Sequence, residues 1–379
     1  MIIKRGLALF AVALIFVFSG CKGKEANETS LADTGRKTSP RQEDLTKLSL
    51  NDLEVLVIDG DKDAAYRLGV IYDYGTEAVE QNFSKAKQWY DRARDLGNKR
   101  AALAIGYMYL SGLGVEKNYS EAKTYFEEAL EARVADANVG LGRLFMDKDY
   151  SGYDPYRAYS CFSSAADNGS LDGKYYLNYV REAGIGTAVD FTNALLGYAE
   201  VALDKSDDVE DQFAINSANT RLGLMYVNGK GVEPDYETAM NYFRIASDNG
   251  FALAKYYIGV MYESGDNEHE ADYDKALRFY EDAAAMEYAP ALNQVGYMYC
   301  NGLGVDIDYE KALYYQKLSA AQGYPLAMVN LGYLYENGLG TVRSLPTALS
   351  YYKLAESEGY DGAYAAVIRV ENMIKGSNL

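Results

Sequence analysis

A block of about 36 residues recurs eight times from Asp63 onward, and that period constrains the fold more than any single residue. Its register is marked by glycines inside an otherwise helical pattern: Gly69, Gly106, Gly142, Gly223, Gly259, Gly296 and Gly332. The steps between them are 37, 36, 81, 36, 37 and 36 residues, the long one holding two repeats and a nine-residue insertion. A constant period of this size implies stacked units, each burying its apolar face against its neighbours.

The unit is clearest in Ala101–Arg133. Ala101, Ile105, Met108 and Tyr109 follow the i, i+4, i+7, i+8 spacing of one helix face. Ser111-Gly112-Leu113-Gly114-Val115 ends that helix, with glycines free to turn left-handed. Asn118 opens a second helix whose buried side holds Ala122, Tyr125, Phe126 and Ala129. Two such helices with short connections make an αα-hairpin. A glycine within a helix costs roughly 1 kcal/mol relative to alanine. Its recurrence at one slot therefore implies close backbone approach, with an aromatic ring of the second helix as the neighbour.

These marks resemble a known family. Ala-x-x-x-Leu-Gly-x-x-Tyr-x-x-Gly-x-Gly-Val, then Lys-Ala-x-x-Tyr-Phe-x-x-Ala-Ala, is similar to the Sel-like repeat, a branch of the tetratricopeptide superfamily; the match spans about 63–360. The resemblance implies an all-α, right-handed α/α superhelix of about eight repeats with terminal caps. It further implies a scaffold for protein complexes, common among bacterial envelope and secreted proteins.

The fourth unit departs from the pattern. Asn178 replaces the helix glycine and Arg181 the following tyrosine, and an acidic insertion follows at about 203–213. That insertion either lengthens a helix or bulges as a loop. Leu48 to Val57 has the spacing of a capping half-repeat, and 361–374 that of a first helix without its partner.

Residues 1–20 read as a secretion signal: Lys4 and Arg5 precede an apolar run to Phe18 that is shorter than a membrane span. Phe18-Ser19-Gly20-Cys21 resembles the bacterial lipobox, which implies lipidation at Cys21 and a membrane anchor through that lipid. Lys22 favours the outer membrane by the sorting rule of enteric bacteria. Polar residues 21–44 read as a flexible tether, leaving 45–379 for the solenoid. Cys161 and Cys300 lie more than three repeats apart, beyond the roughly 7 Å a disulfide permits, so both are expected as free, buried thiols.

The formal charge of −18, with 55 acidic against 37 basic side chains, repels phosphate backbones and argues against nucleic-acid partners. Catalysis has little material. The single histidine, His269, stands in an acidic loop at 266–274 that lacks the glycine and closing glutamate of a calcium site. Ser350-Tyr351-Tyr352-Lys353 matches the serine-x-x-lysine signature of penicillin-binding enzymes without its companion motifs. No cofactor is expected.

Variation between units at fixed slots is the better functional signal. One slot lies two places before the helix glycine and another one place after it, so the two share a helix face. By resemblance to tetratricopeptide-like proteins, that face lines the concave groove. Its aromatics and arginines are the residue types of binding hot spots. Tyr176, Tyr179, Tyr257, Tyr297, Tyr333, Arg143 and Arg221 are accordingly the candidate contacts for a protein or peptide partner. The expectation is a non-enzymatic, envelope-tethered scaffold. A surface lipoprotein that binds host proteins and an immunity-type inhibitor of a toxic enzyme stay open as alternatives.

Overall fold

The computed structural model describes residues 45, 47–76, 78–206, 209–265 and 270–377. The signal, Cys21, the tether, His269 and part of each acidic loop lie outside these. The described chain is all-helical, with no β-strand among its residues. It forms an α/α solenoid that divides into two compact units, the second beginning at Phe251.

The first unit opens with α1 (Leu50–Ile58) and continues in five helical hairpins. These are α2 (Lys62–Tyr74) with α3 (Phe83–Asp95), α4 (Ala101–Ser111) with α5 (Tyr119–Glu131), and α6 (Ala137–Met146) with α7 (Pro155–Asp167). Then come α8 (Leu171–Ala183) with α9 (Phe191–Ala202), and α10 (Val209–Asn228) with α11 (Tyr236–Asp248). The second unit holds α12 (Ala252–Ser264) with α13 (Tyr273–Ala285), α14 (Ala289–Asn301) with α15 (Tyr309–Ala321), and α16 (Pro325–Asn337) with α17 (Leu345–Ser357). It closes with α18 (Tyr364–Ser377). At 20 residues, α10 absorbs the end of the acidic insertion, which therefore lengthens a helix.

Every second helix starts on a side-chain cap. Asn82, Asn118, Asp154, Asp190, Asp235, Asp272, Asp308 and Ser344 each accept a hydrogen bond from a main-chain N–H of the first turn. The hairpin core is one ring against one glycine. A Cβ on Gly106 would stand 2.6 Å from the Phe126 ring, and one on Gly332 2.5 Å from Tyr352. Gly69 meets Tyr90, Gly142 Phe162, Gly223 Phe243 and Gly259 Tyr280 in the same way. The fourth hairpin inverts this: Asn178 fills the glycine slot, and Gly197, on the facing helix, makes room for it.

The paired loop glycines have separate tasks. Gly338 caps α16 with φ 68° and ψ 38°, the left-handed conformation a helix end needs. Gly340 is a matter of space, since a Cβ there would fall on the carbonyl oxygen of Tyr309, the first residue of the preceding second helix. Gly114 on Phe83, Gly186 on Pro155, Gly231 on Phe191 and Gly304 on Tyr273 repeat the contact. Each of these five loops is shaped to the repeat before it.

Cys161 and Cys300 are both free. They are half-buried rather than buried, each packed against the core of its own unit. Burial still raises both thiol pKa values. No described helix is long and apolar enough to cross a membrane.

Candidate partner-binding face

First helices of neighbouring repeats touch one another, α4 on α6, α6 on α8 and α8 on α10 in the first unit, and α14 on α16 in the second. Within each unit these helices form a layer whose chemistry follows from the hairpin cores beneath it. Where the core ring is tyrosine, its hydroxyl donates to an acid four places after the helix-glycine slot, which Asn178 fills in the fourth hairpin. Tyr90 donates to Asp73 at 3.0 Å, Tyr198 to Glu182 at 3.2 Å, Tyr280 to Glu263 at 2.6 Å and Tyr352 to Glu336 at 2.8 Å. Where the ring is phenylalanine, the same slot holds Leu110, Met146 or Val227.

Three of these acids also reach forward. Gln294 of the next repeat donates to both oxygens of Glu263, at 3.0 and 2.9 Å. Arg369 forks onto Glu336 at 3.1 and 2.7 Å. Glu182 takes Lys230 at 3.1 Å, with Arg221 3.9 Å away. Gln294 and Arg221 occupy the slot two places before the helix glycine, so that slot ties one repeat to the last.

The seven candidate residues separate on this basis. Tyr176 is only 7% exposed, its ring stacked on Phe162 at 5.2 Å, so it offers little surface to a partner. Burial pushes its hydroxyl pKa far up. The Arg143 guanidinium lies over Tyr107 at 4.8 Å and Tyr176 at 5.9 Å, joining three successive repeats through cation–π contacts. Arg221 sits over Tyr179 at 5.0 Å, and its side chain is mostly buried. Their side chains pack one repeat against the next, which the sequence pattern could not distinguish from a wet face. Tyr257 and Tyr179 are half-buried.

Tyr297 and Tyr333 differ from the rest: they are 41% and 49% exposed and stand one place after the glycines of α14 and α16. They line the same cavity, of about 190 Å³, together with Cys300, Gln316 and Asn330. Gln316 was not among the candidates. Its signal was present, for it occupies the ring slot that is aromatic in the seven other hairpins.

Ser350 donates to the Pro346 carbonyl at 3.0 Å, and Lys353 pairs with Glu371 at 2.7 Å. The serine-x-x-lysine pair is thus engaged as an ordinary helix surface. Among the described residues, no group of three His, Cys, Asp or Glu side chains is placed to hold a metal.

The Sel1 repeat family model matches at 62–98, 99–133, 135–170, 216–251, 252–288, 289–324 and 325–360. The inverted fourth hairpin is the stretch it passes over. Among solved structures, a Sel1 repeat protein from Oxalobacter formigenes is 22% identical, with 90% of this chain and 98% of that one covered and a TM-score of 0.53. The immunity protein Pa5087 from Pseudomonas aeruginosa is 21% identical over 60% of this chain and 83% of its own, with a TM-score of 0.43. No protein of curated function matches the sequence significantly. With seven matched repeats covering most of its length, the chain belongs to the Sel1 repeat family.

Proposed function

We propose that this protein is a non-enzymatic scaffold, held at a bacterial envelope membrane by lipid on Cys21, whose first-helix face binds a protein or peptide partner. The observation that carries the reading is the exposed pair Tyr297 and Tyr333, on adjacent first helices and lining one cavity. Large aromatics on a rigid layer contribute contact area at low entropic cost, as binding hot spots do. Tyr257 and Tyr179, half-buried, extend the candidate surface within their own units.

The test is crosslinked capture from envelope extract with the full chain as bait, compared with a Tyr297→Ala/Tyr333→Ala double variant. A dominant partner retained by the native chain and lost by the folded variant supports the reading. Equal capture by both removes these tyrosines from the site. A partner found only among host proteins, or in a competitor's toxic enzyme, replaces the scaffold with one of the two alternative roles. Incorporation of labelled palmitate, abolished in Cys21→Ser, checks the anchor.

A further inference from the structure

The fourth hairpin differs from its neighbours on its outer surface as well as in its core. Helix α9 packs on α8 and α10, and Ala194, Tyr198 and Val201 on its inner side are each 0% exposed. At about 100° per residue, the side opposite these three carries Leu196 and Leu203. They are 62% and 79% exposed. Their slots lie two places before and five places after the core ring. In the other four hairpins of the first unit the earlier slot is polar, and the later one holds Asp95, Glu131, Asp167 or Asp248. In no other hairpin do leucines fill both.

The rim of this apolar pair is acidic. Glu200, between the two leucines in sequence, is held by Lys174 at 2.5 Å, yet its side chain is still 66% exposed. Asp204 follows Leu203 directly and is exposed. From Asp204 to Asp211 the sequence has five acidic residues against one lysine. That charge selects among the occupants an exposed apolar stripe could have. A second copy would bring the same carboxylates against these, and an anionic lipid surface would bring phosphates; like charges at close range disfavour both. A segment with cations beside its apolar residues meets no such cost, and the acidic field speeds its approach.

We propose that this side of α9 is a second docking surface, taken by a basic amphipathic helix of a partner protein. Leu196 and Leu203 are two helical turns apart, about 10 Å along the axis. A helix laid along α9 repeats that spacing, so two of its apolar side chains, seven places apart, cover the two leucines. Lysine or arginine side chains beside them pair with Glu200 and Asp204. Burial of both leucines supplies the affinity, and the charges supply orientation and the choice of partner. The surface is separate from the first-helix face and needs none of the tyrosines there.

The experiment uses the full chain and a fluorescein-labelled helical peptide of alanine and lysine, with leucines seven places apart on one face. A control peptide has the same composition with its leucines on opposite faces. By anisotropy titration the first should bind at least about tenfold tighter than the second. Leu196→Ser/Leu203→Asp gives both slots the residue types of the neighbouring hairpins, so it should keep the unfolding midpoint and erase that preference. The added aspartate strengthens the acidic field, so affinity lost in this variant reports the apolar contact rather than charge. Glu200→Gln/Asp204→Asn should weaken both peptides and leave the preference in place. Equal binding of the two peptides, no measurable binding, a preference that survives the leucine variant, or affinities unchanged by the charge variant would overturn the proposal. Dimerisation in sedimentation, or flotation with phosphatidylcholine vesicles, would overturn it too if the leucine variant abolished it, giving the face to a second copy or to lipid.

Discussion

Asn178 on α8 and Gly197 on α9 trade the sizes that the other hairpins assign to those helices: the polar side chain fills the slot of the helix glycine, and the glycine on the facing helix clears space for it. Asn178 is also held, its Nδ2 donating to the Lys174 carbonyl at 2.8 Å and its Oδ1 accepting from Arg181 at 3.1 Å. The exchange predicts strong coupling. Gly197→Ala should destabilise the chain by about 2 kcal/mol through overpacking. In the Asn178→Gly background the same change should cost at least about 1 kcal/mol less. Urea denaturation of the four members of the cycle measures this, and additive costs would show that the two residues do not share the space.

The tyrosine–acid rule makes its own prediction at Tyr90 and Asp73. Burial raises the Asp73 pKa, and the Tyr90 hydroxyl works against that by donating to the carboxylate. Tyr90→Phe should cost about 1–3 kcal/mol because the carboxylate is left half-buried without its donor. Adding Asp73→Leu should recover most of the loss, since Phe126 with Leu110 already combines these residue types two helices on. Equilibrium denaturation of the single and double variants distinguishes the two outcomes.

At the C-terminal cap the pH dependence has a definite sign. Burial acts to raise the Glu336 pKa, but hydrogen bonds from Arg369 and Tyr352 outweigh it and hold it below the ordinary 4.5. A carboxylate whose folded pKa is depressed contributes stability that is complete above its unfolded value and is lost as pH falls through the folded one. Amide exchange of α18 should therefore quicken relative to the rest of the second unit as pH drops below about 4.5. In Arg369→Gln that difference should shrink. An acid response identical in the variant would mean that another group sets it.

Arg133 follows the second helix of its hairpin at φ 62°, a left-handed backbone that corresponding hairpins give to glycines such as Gly97 and Gly169. A non-glycine residue there carries about 1–2 kcal/mol of strain, offset in part by the entropy that glycine loses on folding. Arg133→Gly should thus raise stability by up to about 1 kcal/mol. A thermal midpoint that falls in this variant would show that the arginine side chain contributes more than the backbone loses.

Much of this was legible before any coordinates. The period located the hairpins because apolar spacing and glycine punctuation repeat in phase, and the glycine–ring contact followed from the cost of a glycine in a helix. The binding face was legible only in part. The slots of Arg221 and Tyr297 share a helix face and vary alike from unit to unit, yet the first turns toward the preceding repeat and the second toward solvent. Variation at Arg221 and Gln294 answers to the acid each must meet one repeat earlier. The burial of Tyr176 was not legible for a related reason: its stacking partner, Phe162, belongs to the hairpin before it, and no spacing within one repeat reveals that contact. Gln316 was readable as the lone polar residue in an aromatic column. What its exchange does to the space around Gly296 required the packing of α14 and α15.

The seating of the second loop glycine on the preceding hairpin gives the array a direction. Gly340 needs the carbonyl of Tyr309 to lean on, but Tyr309 needs nothing from Gly340. A chain delivered from its N-terminus meets that requirement in order, since each loop with this glycine emerges after the surface on which it rests. Removing hairpins from the C-terminal end leaves the remaining loops fully supported, whereas removing them from the N-terminal end strips the first surviving loop of its seat. The repeat read along the sequence and the piece whose loop is seated on its own surface are therefore out of register by half a unit.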